Sequence, residues 1–131
     1  MSDGAQDLTG IWYGRYEAIG YPEVNTFIAN LTDDYGALSG TITEPDTGGS
    51  ATVRRAFVGG SRTGSNVTFV KQYDGAVLAH AVRYFGVVNG DATQISGRWQ
   101  IVRERGVFTM EREKFSVADI VEEQEVEEVG R

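Results

Sequence analysis

Apolar and polar residues alternate along most of this chain with a period of two, the spacing of a strand with one buried face. In "GIWYGRYE", Trp12, Gly14 and Tyr16 fall on one side. Phe27, Ala29 and Leu31 do the same in the next run, and Leu38 and Ile42 in the third. Val67, Phe69, Lys71 and Tyr73 share a face, as do Leu78, His80, Val82 and Tyr84. Ile95, Gly97, Trp99 and Ile101 follow, then Phe108, Met110 and Arg112. The adjacent Arg54 and Arg55 break the alternation of the fourth run, because one of them must point the wrong way. No helical period interrupts the series. The pattern predicts eight strands, near Thr9–Glu17, Glu23–Thr32, Ala37–Glu44, Ala51–Val58, Asn66–Tyr73, Val77–Val88, Thr93–Val102 and Val107–Phe115.

Turn signals separate the runs. Asn89-Gly90 in "VVNGDA" predicts a type I′ hairpin, which needs positive φ at both central residues. Asp74-Gly75 is a second such signal, and "TDDYGA", "GGSRTGSN" and "RERGVF" read as further hairpin connections. "IGYPE" and "EPDTGGS" read as longer loops that keep Pro22 and Pro45 out of the strands. Short links make neighbouring strands antiparallel in chain order. Such a meander hides its edges by closing. The expected fold is therefore all-β: an eight-stranded antiparallel up-and-down barrel, with an interior for packed side chains or one small ligand. An open sandwich is the structural alternative.

Composition narrows the chemistry. The 131 residues suit one domain, and 17 glycines against 2 prolines favour strands and tight turns. With no cysteine and one histidine, His80, neither a thiol nucleophile nor a histidine-rich metal centre is available. No metal and no cofactor are expected. "MSDGAQDL" lacks the basic start and apolar run of a secretory signal, and no stretch is apolar enough to span a membrane. The expectation is a cytoplasmic protein with no membrane partner. Residues 116–131 hold six of the acids and one base, so −5 of the net −7 lies there and −2 on the rest. That body offers no electrostatic footprint for nucleic acid. The chain divides into a flexible N-terminus at 1–8, a barrel at 9–115 and an acidic tail at 116–131. "SVAD" resembles a helix cap, and Val117, Ile120 and Val121 then share a helical face, so the tail is read as a short lid helix or a disordered extension.

Gly10, Trp12 and Arg112 form the first constellation. In a closed barrel the first and last strands are neighbours, which sets Arg112 to stack on Trp12 with a cation–π energy of roughly 0.5–2 kcal/mol. "GIW" at Gly10–Trp12 and "MER" at Met110–Arg112 resemble the calycin barrels: lipocalins, fatty-acid-binding proteins and avidins. Those barrels carry a Gly-x-Trp on the first strand and a basic residue across it on the last. The avidins look closest, through "GIWYGRY", "GALSGTITE", "LAHAVRYFG" and "ISGRWQI", in which Trp99 matches a ligand-contacting tryptophan. Their polar biotin ligands do not carry over: the matching positions are Gly14, Ile42, Glu44, Ala81 and Arg83. The resemblance implies the barrel without biotin, Trp12 as a structural plug at one end, and association as a homodimer or homotetramer.

Tyr16, Phe27, Phe69, His80, Tyr84, Trp99 and Phe108 are the candidate ligand contacts, a lumen suited to a small apolar or aromatic molecule. Plain core packing is the alternative for the rings, and a satisfied histidine for His80. His80 and Tyr84 lie four residues apart on one face, at a spacing of about 13 Å. With Glu17 they are the residues to test for a cofactor-independent cyclase or isomerase acting by substrate enclosure. Arg54 and Arg55 read as an anion contact or as charges that keep an edge soluble. Three functions stand open: a small-molecule-binding barrel, an enclosing enzyme, and a filled barrel that serves as an interaction protein.

Overall fold

The alternation read from the sequence becomes an inside and an outside. The computed structural model describes residues 7–45, 53–73 and 81–112. Its strands are β1 (Gly10–Ala18), β2 (Asn25–Asp34), β3 (Ala37–Pro45), β4 (Val53–Thr63), β5 (Asn66–Tyr73), β6 (Ala81–Val88), β7 (Gln94–Gln100) and β8 (Arg105–Glu111). Each pairs antiparallel with the next, and β8 pairs back on β1, so the eight strands close into an up-and-down barrel. The described residues contain no helix, and so none long and apolar enough to cross a membrane. Closure leaves no unpaired strand edge, which settles the choice against an open sandwich.

Inward positions hold Trp12, Phe27, Ala29, Leu31, Leu38, Ile42, Ala56, Val58, Val67, Phe69, Tyr84, Ile95, Trp99, Phe108 and Met110, all buried. Burial of this apolar area, worth roughly 25 cal/mol per Å², is what holds the sheet closed. Outward neighbours such as Tyr13, Ile28 and Phe57 stay exposed, as a period-two strand requires.

Several connections differ from the sequence expectation. Asn89-Gly90 is not a two-residue hairpin: residues 89–93 form a five-residue loop between β6 and β7. The Asn89 side chain accepts from the Thr93 and Gln94 amides at 2.8 and 3.0 Å, and Ala92 takes the positive φ of 59°. That side chain holds the longer loop closed, so the type I′ geometry is not needed. The true type I′ signature is Tyr35-Gly36, both at positive φ (52° and 96°), where the chain turns from β2 to β3. β4 also runs further than expected, through Gly59-Gly60 to Thr63, with Gly60 paired to Phe69. Gly60 there makes space for the β5 backbone inside a strand and not a turn, while Gly59 faces open space. The expectations for Asp74-Gly75, for His80 and for the tail from Ser116 fall outside the described residues.

Candidate functional site

The barrel has two ends of different character. At one end Trp12 is wholly buried and donates Nε1–H to the Leu8 carbonyl at 2.9 Å. The Arg112 guanidinium lies 4.6 Å from the Trp12 ring and donates to the carbonyls of Thr9 and Asp7, each at 2.6 Å, and of Ala92 at 2.9 Å. Beside them Asp33 pairs with Arg62 at 2.8 Å and accepts the Leu8 and Gly36 amides at 3.0 and 2.8 Å. Burial alone would raise the Asp33 carboxyl. The Arg62 hydrogen bond and the two amides outweigh it and hold the group below the ordinary carboxylate range. This end is tied shut by backbone carbonyls, an indole and an ion pair.

The inward side of Gly14 faces the Phe27 ring, which occupies the space a β-carbon would need. Trp12 and Phe27 are thus accommodated by different features of the same strand.

The other end carries a polar cluster that the sequence reading did not assemble. Near the end of β3, Glu44 turns inward and is only 3% exposed. Lys71 of β5 approaches its Oε2 at 3.2 Å, and Arg54 of β4 approaches Oε1 at 2.8 Å. Tyr73 donates its hydroxyl to Oε1 at 2.8 Å, and Tyr16 of β1 does so at 3.4 Å. The Lys71 ammonium also faces three rings: Tyr16 and Tyr73 at 4.8 Å, and Tyr84 at 5.4 Å. Burial lowers the affinity of the Lys71 amine for its proton, with Arg54 adding to the effect and Glu44 opposing it. Burial, with the Glu44 charge, pushes the Tyr16 and Tyr73 hydroxyls up, so both stay protonated donors at neutral pH.

The cluster places two cations against one carboxylate. Two buried polar atoms, the Tyr84 hydroxyl and Arg54 Nε, have no hydrogen-bond partner among the described residues. A cleft of about 120 Å³ opens over the cluster, lined by Tyr16, Val24, Asn25, Thr26, Glu44, Pro45 and Arg54. It has room for a functional group, while Ile19, Tyr21 and Val24 stand exposed on the β1–β2 connection at the same end.

Beneath the cluster, Phe69 stacks on Tyr84 with centroids 4.6 Å apart, and Phe108 meets both edge-on at 6.1 and 5.0 Å. Tyr16 touches Phe27 and Trp99 at 6.1 and 5.8 Å. The structure thus divides the six described ligand candidates into two neighbouring ring groups. Glu17 does not join them. It points to solvent from the outer wall, and only its carbonyl is used, accepting Nε1–H of Trp99 at 3.1 Å. Arg54 and Arg55 divide as parity requires: Arg54 turns in to Glu44 and Arg55 stays exposed. The signal for the cluster lay in the pattern, since Glu44 shares its parity with Leu38 and Ile42, and Lys71 with Val67 and Phe69. A charge on an apolar face marks either a site or a buried pair.

The chain matches no known protein family and no curated protein. Among the described residues no group of histidine, cysteine, aspartate and glutamate is arranged to hold a metal ion.

Proposed function

We propose that this chain binds a small apolar or aromatic molecule, not biotin, at the mouth of its barrel, and that the Glu44 cluster holds the ligand's polar end. The carrying observation is the buried cluster itself, with its excess positive charge and two unpartnered polar atoms. A filled barrel does not need it: replacing a buried ion pair by apolar side chains is often neutral or stabilising. An acceptor or anionic group in the cleft would give Arg54 Nε, on a residue of the cleft wall, the partner it lacks. Exposed Ile19, Tyr21 and Val24 offer apolar surface to the rest of the molecule. The calycin-like pairing of "GIW" with "MER" accords with this reading, as does a closed eight-stranded meander. A cytoplasmic carrier, as a homodimer or homotetramer and without nucleic acid, is the corresponding picture of the whole protein. An enclosing enzyme is the second reading, favoured by a buried amine and a carboxylate in contact at the same mouth.

The test is a fluorescence titration with hydrophobic dyes and aromatic carboxylates, following Trp99. Saturable binding that weakens about tenfold or more in Arg54→Gln supports the site, the loss of one charge-assisted contact. No saturable binding leaves the filled barrel as the answer. Tyr84→Phe separates carrier from enzyme, since turnover lost at unchanged affinity indicates chemistry.

A further inference from the structure

Of the twelve basic residues only Lys71 and Lys114 are lysines, so all the cationic surface of the described residues is arginine. The lysine among them is the one buried in the lumen, 1% exposed. An arginine is the better partner for a buried ion pair, since its fork is planar and more weakly hydrated. A primary amine has what a guanidinium lacks: it becomes a nucleophile when it loses its proton. We propose that Lys71 forms a reversible imine with a small aromatic or conjugated aldehyde admitted at the barrel mouth, and that Glu44 moves the proton and then serves as the iminium's counter-ion. This rests on the reading of the mouth as a ligand site and names the ligand's reactive group.

The geometry suits each part. Glu44 Oε2 is 3.2 Å from Lys71 Nζ, and Glu44 also lines the cleft, so the amine lies one side chain behind the entrance. Tyr16 bridges in the same way, being part of the cleft wall with its ring 4.8 Å from Nζ. Burial favours the neutral amine, the usual means of activating a lysine nucleophile. The faces of Tyr16, Tyr73 and Tyr84 around Nζ suit a delocalised cation and a flat conjugated system beside it.

The reaction balances without redox. Lys71 passes one proton to Glu44. The freed lone pair forms a C–N bond to the aldehyde carbon, and the carbonyl π pair moves to oxygen, which takes a second proton from nitrogen. The resulting carbinolamine hydroxyl receives the proton held by Glu44 and leaves as water while the nitrogen lone pair closes the C=N bond. The ammonium and aldehyde have become an iminium and water, and Glu44 is again a carboxylate.

Cinnamaldehyde with cyanoborohydride, followed by peptide mass spectrometry on the full chain, tests this directly. The expected result is one reduced adduct on Lys71, formed about tenfold or more faster than on Lys114 or the N-terminal amine, with red-shifted absorbance before reduction. Glu44→Gln slows it by roughly 10²-fold, the lower end of a general acid–base contribution. Lys71→Arg abolishes it, with circular dichroism confirming the fold. Labelling of Lys71 no faster than of Lys114 overturns the imine. Cinnamyl alcohol, which cannot condense, separates the two levels. If it binds saturably while Lys71 stays unlabelled, the imine alone fails; if it does not bind, the mouth site fails as well.

Discussion

Individual side chains divide into those that seal the barrel and those that equip it. Trp12 belongs to the first group, because its Nε1–H is spent on the Leu8 carbonyl and its face on Arg112. Trp12→Phe leaves that carbonyl without its donor and a void beside it. It should cost about 1–3 kcal/mol in chemical denaturation, with affinity at the far mouth unchanged. Tyr84 belongs to the second group. Its buried hydroxyl has no partner among the described residues, so Tyr84→Phe should leave the free protein as stable as before or more so, by up to about 1–3 kcal/mol. The same change should weaken a ligand that accepts from that hydroxyl. A melting curve and a binding titration on one sample show whether the two effects part company.

At the level of strands, apolar parity was legible in the sequence and hairpin geometry was only partly so. Every inward residue named on β1, β2, β5 and β8 lies on the inner side, because a one-residue slip would turn a whole apolar set outward. Asn89-Gly90 misled because an asparagine side chain can close a longer loop as well as start a tight turn. Gly59-Gly60 misled because a glycine in a strand can serve close approach instead of turning. Gly14 shows the same use on β1, where the Phe27 ring fills its inward side. Gly14→Ala should cost about 1–3 kcal/mol by overpacking. In the double variant with Phe27→Ala the two losses should add to less than their sum, a coupling measurable by a double-mutant cycle.

For the molecule as a whole, the sealed end and the equipped end should respond differently to pH and mutation. Asp33 is held below its ordinary value, so its contribution is full above the unfolded carboxylate pKa of about 3.9 and is lost as pH falls through the folded value. Asp33→Asn should therefore flatten the acid limb of stability against pH while leaving its slope above about pH 6 unchanged. Arg62→Ala strands that carboxylate in the interior and should cost about 3–5 kcal/mol, seen as a lower melting temperature.

The sequence by itself determined the strand count, the meander, the inward set and the meeting of Trp12 with Arg112, because these follow from period and order. A period of two fixes which side chains share a face, and short links fix which strands are neighbours. Only the tertiary structure decided that Glu44, Arg54, Lys71, Tyr73 and Tyr16 meet at one mouth, and that Asp33 and Arg62 pair near the other. The reason is physical. The height at which a side chain enters the lumen depends on register across four or five strands, and register is set by every turn length between them. The sequence marks a charge as inward; closure of the barrel supplies the partner that makes its burial tolerable.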